Sequence, residues 1–554
     1  MDPSRSNRDV LIVGAGPVGL TLANDLALRG IPIRIIDPLP EANPHAKAHG
    51  LQSRTLEALD VIGLGAPMMR NAVQPQPTLV NWASGRSISE LPAGGPPREP
   101  YPYQLGIWQQ TVEKVLTESL AERGYKIERS VRLIDFTMDS SGVDAKVELN
   151  GDERQIQAGW IVGCDGGRSR VRSCLGLRMR GDTEPGKWFI GEFDLDWNMS
   201  RDVIFLNRHK KGSAIAFFDP LTERWHTWVT LPDENLPLTL ENLNAVWREY
   251  TGLDTEISNP LWMHELRVNF GTVDRYLDQR ALLAGDAAHV HSSAGGQGLN
   301  TGVQDALNLG WKLALTIDGQ AAPELLDTYN EERLAEAHNV LARSKRMHKI
   351  MYPRDLRSRL ISRAVATAMR RPALAERLAA RQMSMLHIHC QNSSLSRHDS
   401  NQAREGTRAG TFVPDVSCRQ DGRPSSLFTA LRGPTAELLL CAADSPSPAT
   451  VNRLARIAER LAAMGDVVRV HLVFQSDADV HNSSYVPGAT SVIIDGGRNL
   501  RRVLGVARPE IIYVRPDGYL GYRSTNLDEG ALDRYLRHIY AGSVLEALPA
   551  PGRV

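Results

Sequence analysis

The chain has 554 residues, 42% of them apolar, and 64 Lys plus Arg balance 64 Asp plus Glu, for a formal net charge of zero. That balance gives no electrostatic case for nucleic acid or an anionic membrane surface, and no uninterrupted apolar run approaches the roughly 20 residues that span a bilayer. Five scattered cysteines (Cys164, Cys174, Cys390, Cys418 and Cys441) read as reduced thiols, and MDPSRSNRDVLIVGAG enters a strand with no cleavage region, so a soluble cytoplasmic protein is expected.

Residues 9 to 13 (DVLIV) are a short β-branched run followed by glycines, the pattern of a buried parallel strand. Pro17 to Arg29 favours a helix stopped by Gly30, and IPIRIID (31 to 37) is a second strand, which completes a βαβ unit. Between them GAGPVG (Gly14, Ala15, Gly16, Pro17, Val18, Gly19) matches G-x-G-x-x-G. The first glycine allows the tight turn, the second lets a pyrophosphate approach the backbone, and the third permits close helix–strand packing. The helix N-terminus then offers unpaired N–H groups to the phosphates. Asp37 ends the second strand, where a carboxylate accepts hydrogen bonds from an adenosine ribose and disfavours a 2′-phosphate. A dinucleotide site follows, without separating NAD from FAD.

Strand-like alternation recurs at 76–84, at 130–149 and in several runs from 188 to 231, so a mainly β layer is expected between 177 and 270. IVGCDGGRSRVRSCLG (161–176) places Asp165 after an apolar run, and GDAAHVHSSAGGQGLNTG (285–302) places Gly285 and Asp286 after another. Two such Asp turns, far apart in sequence, suit one extended ligand. Asp286 can accept a hydrogen bond from a ribityl hydroxyl, and Gly295, Gly296, Gln297 and Gly298 let the backbone lie flat against something broad. The helix expected over 299–316, starting at Leu299 and Asn300, aims its N–H groups at the negative charge of a reduced flavin ring. Val303, Leu307, Trp311 and Ala314 form one apolar face of it. Helical segments follow from about 324 to 386, then a polar stretch, QNSSLSRHDSNQAREGTRAG (391–410), that reads as a linker. Strands such as AELLLCAA, VVRVHLVF, SVIIDG and EIIYVRP, alternating with helices around 449–464 and 528–540, form a separate small α/β domain.

Together, GAGPVG, GCDGGRSRVR and GDAAHVHSSAGGQGLNTGVQDALNLGWKLA resemble the single-component, class A FAD-dependent aromatic monooxygenases, over about residues 8 to 345. IIYVRPDGYLGYR (511–523) resembles the thioredoxin-like appendage of the phenol hydroxylase branch, but no C-x-x-C is present, so a structural role at a subunit interface, in a homodimer, is expected in place of dithiol chemistry. The implied fold class is α/β. A discontinuous Rossmann-type FAD-binding domain (1–180 and 265–345) carries an inserted β-sheet substrate layer (75–105 and 181–264), a helical segment (346–390) and a C-terminal thioredoxin-like domain (405–545).

The resemblance implies bound FAD, transient NADPH or NADH, and O₂, with oxygen transferred to a phenolic ring through a flavin C4a-hydroperoxide. AHGLQSRTLEAL (48–59) is similar to the segment passing beside flavin and substrate, which makes Gln52 and Arg54 FAD contacts, and Gln109, four residues before a glutamate, another. The alternative for Arg54 is a solvated helix face. His49 stands where the phenol hydroxylase branch carries an aspartate near the substrate hydroxyl, and a histidine can take that proton near neutral pH. His226, in ERWHTWV, is a second candidate base; the bland alternatives are a loop histidine and a packed sheet histidine. Ser293 replaces the family's usual proline and loses its fixed φ, which loosens the loop. The cluster HIHC (387–390) is too close-spaced for a zinc pattern, and no metal is assigned. Polycyclic hydroxylation, Baeyer–Villiger insertion, displacement of nitrite or halide from a substituted phenol, a flavin oxidase or dehydrogenase without oxygen transfer, and a non-catalytic FAD-binding partner protein remain as alternatives.

Overall fold

The computed structural model describes residues 8–43, 48–73, 78–83, 86–92, 98–183, 186–231, 233, 235–291, 296–351, 356–368, 384–399, 407–476 and 488–549. The Val10–Val13 strand is buried along its whole length and lies between two parallel neighbours, Trp160–Gly163 and Ile33–Asp37. Ala281–Leu283 continues the sheet on one side and Ile127–Arg129 on the other, both parallel, with Leu277–Asp278 antiparallel at the edge. The chain leaves Val10–Val13 toward one side of the sheet and later returns on the other. That reversal opens a crevice beyond the carboxyl ends of the strands, the place where such sheets bind ligands.

A seven-stranded sheet runs in the order Ile257–Leu266, Trp188–Leu195, Arg224–Thr230, Gly212–Asp219, Val203–His209, Thr78–Ala83, Arg86–Pro92. The stretch 177–270 is not β throughout: Leu240–Thr251 is a helix, capped by the Thr239 side chain at its start and by Gly252 at φ +68° at its end. Its Leu243, Val246, Trp247 and Tyr250 bury one face of the sheet with Phe189, Phe193, Phe205 and Trp225. The opposite face, with Ile190 and Trp228, packs toward Leu341 and Met347 of the helix Asp327–Met351. Alternation along each strand thus separates a helix-covered side from a side turned to the rest of the molecule.

The helix Gly298–Ile317 departs from expectation. It has no single apolar face, because every residue from Asn300 to Ala314 is buried. Val303, Leu307 and Ala314 join the core of the parallel sheet, while Trp311 joins the core of the C-terminal sheet. A helix wedged between two cores must be apolar on both sides.

The C-terminal sheet has eight strands, with Ala436–Cys441 and Val468–Phe474 parallel at its centre and Glu510–Val514 antiparallel on the other side of Ala436–Cys441. The polar stretch 391–410 is not a free linker over its described part. Leu395 is 1% exposed, its carbonyl accepts the Tyr535 hydroxyl at 3.0 Å, and Arg397–His398 pairs with Leu520–Ser524 as the sheet's edge strand. Its serines are spent on internal hydrogen bonds: Ser393 Oγ donates to Glu332 at 2.6 Å. Among the described residues no helix is long and apolar enough to cross a membrane.

Candidate functional site

The glycine turn lies at the carboxyl end of Val10–Val13. Gly14 has φ +103°, and a Cβ there would meet the Cys164 carbonyl oxygen at 2.5 Å, so only glycine fits. At Gly16 a Cβ would meet nothing within 4 Å: the turn opens onto space in front of the Pro17–Leu28 helix, whose N-terminus has no side-chain cap. Asp37 braces the turn by accepting the Ala15 N–H at 2.8 Å and the Leu39 N–H at 2.9 Å, with Arg129 at 3.4 Å. Two carboxylate oxygens with two such donors retain acceptor capacity for a ribose. Val18 touches both other glycine sites, since a Cβ at Gly285 would meet its Cγ2 at 2.8 Å and one at Gly302 would meet it at 2.6 Å. Gly19 packs so closely that a Cβ would lie 2.0 Å from the Gly14 carbonyl.

Asp165 follows Trp160–Gly163. Its Oδ2 accepts the N–H groups of Arg170 (2.6 Å) and Val171 (3.2 Å), so half of this carboxylate caps a short helix. Oδ1 has no hydrogen-bond partner among the described residues, and burial pushes the carboxyl up from its ordinary value. Asp286 is exposed, in the turn Gly285–Ala287. That turn is held from below by Asp305, which accepts the Gly285 N–H at 3.0 Å, the Arg333 guanidinium at 2.6 Å and His289 Nε2 at 2.7 Å. Burial raises Asp305, but Arg333 and His289 outweigh it and hold the carboxyl low.

Asn300 joins the glycine loop to the strand His49–Gln52. Its Oδ1 accepts the Gln52 N–H at 2.8 Å, and its Nδ2 donates to the carbonyls of Gly296 (2.8 Å) and Gly50 (3.2 Å). Gln304 Nε2 donates to Thr55 Oγ1 at 3.2 Å one turn further along. Gly298 and Leu299 begin the helix beside this clasp, and the buried Gln297 amide has no hydrogen-bond partner among the described residues. Ser293 and Gly295 lie outside the described residues. Arg54 is not on a solvated face: it is 5% exposed, with its guanidinium 2.5 Å from Glu57 and 4.4 Å from the Phe412 ring. The sequence could not reveal this partner, which lies far along the chain. Gln109 Nε2 donates to Glu113 at 2.9 Å.

The two candidate histidines share one aromatic cluster. His49 packs edge-on to Trp108 at 4.7 Å and against Phe217 at 5.4 Å; His226 stacks on Phe217 at 5.0 Å and on Trp108 at 6.1 Å. Burial, and then the charge of His226, pull His49 down to about 4. That shift disfavours a proton resting on His49 and leaves its ring nitrogens free to meet a hydroxyl. His226 is 1% exposed, and its Nδ1 lies 3.7 Å from Oε1 of the fully buried Glu192. Burial raises Glu192, and His226, Trp262 and Thr222 more than offset that, leaving the carboxyl below its ordinary value.

Glu192, Trp108, Phe217, Asp305 and Arg333 carry no signal of a site role in the sequence, and the partners of His289 do not show there. Asp305 lies inside a quoted motif, whereas Glu192 is one acid in an alternating strand. No group of three or more His, Cys, Asp or Glu among the described residues is placed to hold a metal ion. The open space at Gly16, the half-partnered Asp165 and the Gln297 amide, which has no partner among the described residues, fit the needs of an extended dinucleotide.

Known proteins supply context for this geometry. The FAD binding domain family matches residues 7–344. A flavin-dependent monooxygenase of Mycobacteroides abscessus is 35% identical over 461 residues, covering 80% of this chain and 90% of its own. A 6-methylpretetramide 4-monooxygenase of Streptomyces rimosus is 30% identical over 565 residues, covering 100% and 96%. Among solved structures, an anhydrotetracycline hydroxylase from Streptomyces rimosus superposes with a TM-score of 0.74 at 28% identity, over 96% of this chain and 99% of its own.

Proposed function

This chain belongs to the FAD binding domain family and is an FAD-dependent monooxygenase, and from that premise we propose that it hydroxylates a phenolic aromatic substrate, using NADH or NADPH and O₂. FAD, when bound, supplies electron storage and oxygen activation. The protein's part is to bind, orient and exclude water. The turn Gly14–Gly19 and the helix behind it hold the pyrophosphate, and Asp37 holds the adenosine ribose. Asp165 and Asp286 take the hydroxyls between, while Gly285, Gly296, Gly298, Leu299 and Asn300 present backbone and helix N–H groups to the ring end. Gln52 and Gln109 flank that end. Arg54, with its guanidinium engaged by Glu57 and Phe412, fixes the segment that carries Gln52.

The observation that carries the reading is a single row across the seven-stranded sheet. Trp262, Glu192, His226 and Phe217 are successive cross-strand partners, so all four side chains share one face. That face meets His49 and Trp108 of the strand pair that Asn300 ties to the glycine loop. His49 is the polar group for a substrate hydroxyl, and His226 stands behind it across Phe217 and Trp108, rings suited to stacking.

We read 1–180 with 265–345 as the cofactor domain, 75–105 with 181–264 as the substrate layer, and 405–545 as a thioredoxin-like appendage. The parallel and antiparallel neighbours of Ala436–Cys441 support the last. Its Cys418 is pushed up to about 11 by burial, and Cys441 is driven higher still, which keeps both as thiols.

Anaerobic stopped-flow absorbance of the FAD-loaded protein tests the function. Reduction by NADH or NADPH should accelerate with one class of phenol, and aerobic turnover should consume that phenol. Fast reduction indifferent to every compound, with H₂O₂ release matching nicotinamide use, would establish an oxidase instead.

A further inference from the structure

We propose that Glu192 is a positioning residue: through His226 it sets an oriented charge pair behind the aromatic wall of the substrate chamber, positive end inward, and that pair favours the ionised form of a bound phenol. The inference rests on the functional reading above. Glu192 and His226 are directly paired across neighbouring strands, with Nδ1 and Oε1 3.7 Å apart and exposures of 0% and 1%. With His226 protonated the contact is an ion pair, which one bridging water or a small rotation closes into a hydrogen bond. Screening is weak at such burial, so the orientation of the pair is felt by its neighbours.

The orientation follows from the row. Glu192 stands on the far side, next to Trp262, and His226 on the near side, next to Phe217. Phe217 and Trp108 each contact both His226 and His49. The imidazolium therefore lies nearer to anything bound against His49 than the carboxylate does, by about one strand spacing of 4.8 Å. His49 already registers this field, since the charge of His226 disfavours a proton on it. The same field acts with the opposite sign on a phenol: it lowers the cost of the phenolate oxygen. Only the O–H bond breaks in this step. Its electron pair stays on oxygen, and the proton is released to bulk solvent. A phenolate is the better nucleophile toward an electrophilic oxygen, so the pair serves the proposed reaction without touching the reacting ring carbon.

Other titratable groups around the pair are few. Asp219, at the end of the Phe217 strand, is pushed up to about 6 by burial and then by Glu192. The His264 ring lies tilted against Trp262 at 5.6 Å, and Arg224, on the His226 strand, is held by Asp194 at 3.2 Å. The helix Asp327–Met351 packs the apolar Leu341 and Met347 on this face, and its His348 and Lys345 lie 5.8 and 5.6 Å from the Phe270 ring.

The experiment is a pH titration of 4-nitrophenol bound to the FAD-loaded protein, following the yellow phenolate. In the wild type the phenolate fraction at fixed pH should exceed that of free 4-nitrophenol at least tenfold on the acid limb. Glu192→Gln should erase most of that gain with FAD binding unchanged, and Glu192→Asp should restore part of it. If Glu192→Gln does not hold FAD, His226→Asn is used, and it should erase the gain in the same way. Equal phenolate fractions in wild type and either FAD-loaded variant overturn the charge pair alone, leaving the monooxygenase reading intact. A wild type that binds phenols with no gain also overturns it. Failure of 4-nitrophenol and of every larger phenol to bind the wild type overturns the pair and the phenolic reading together.

Discussion

Asn300 Oδ1 accepts the backbone N–H of Gln52 at 2.8 Å, joining two stretches 248 residues apart in the chain. With the donations of its amide to Gly50 and Gly296, one side chain holds three backbone groups in register at the ring end of the crevice.

Removing that amide should cost cofactor affinity more than fold. In Asn300→Ala a buried N–H and two carbonyls lose their partner, a penalty of about 1 to 3 kcal/mol. The FAD dissociation constant, read from flavin fluorescence on release, should rise roughly ten- to hundredfold. An unchanged constant would mean that the clasp does not shape the ring end.

Arg515→Met should destabilise the whole chain. Arg515 donates to Glu332 at 2.5 and 2.9 Å and to Asp517 at 2.5 and 3.0 Å, and Lys312 also reaches Glu332 at 2.9 Å, all within a solvent-free junction. Stripping one cation from buried carboxylates costs about 3 to 5 kcal/mol. Urea unfolding should show a lower midpoint, and Glu332→Gln in the Arg515→Met background should recover part of the loss. A midpoint equal to wild type would refute the network's role.

Stability should also depend on Asp219 with a definite sign. Its folded value of about 6 lies above its unfolded one, so the folded state binds the extra proton between about pH 4 and 6. Stability contributed by that proton is present below the window and falls as pH rises through it. Asp219→Asn should therefore be more stable than wild type above pH 6, by up to about 3 kcal/mol, with the gain fading toward pH 4. Asp305 and Glu332 act in the opposite sense: both are held low, so what they contribute is complete above the ordinary carboxylate range and is lost in acid. Denaturant midpoints of both proteins across pH 4 to 8 decide this; parallel curves would overturn it.

The glycine turn, Asp37 and the Asp turns at Asp165 and Asp286 were legible in the sequence because each is local: a strand end, a glycine and an acid within a few residues. What stayed hidden depends on pairing across the chain. Glu192 becomes conspicuous only when its strand is registered against those of His226 and Trp262. The burial of Arg54 needs Phe412, and the second apolar side of Gly298–Ile317 needs a C-terminal sheet to cover Trp311. Residues 391–399 looked like a linker because serines that satisfy buried carboxylates have the same composition as serines in water. The helix Leu240–Thr251 was missed inside a β-rich stretch although its Thr239 and Gly252 boundaries were readable.

The two-sided helix also has a consequence during synthesis. Trp311 packs in one core with Tyr540, which leaves the ribosome roughly 230 residues later, a delay of about 10 to 50 s at ordinary translation rates. Over that interval the parallel sheet can already be assembled while an indole face on its back stays uncovered. Nascent chains in high-level expression would stick to one another first at that face, and slower elongation would prolong the exposure.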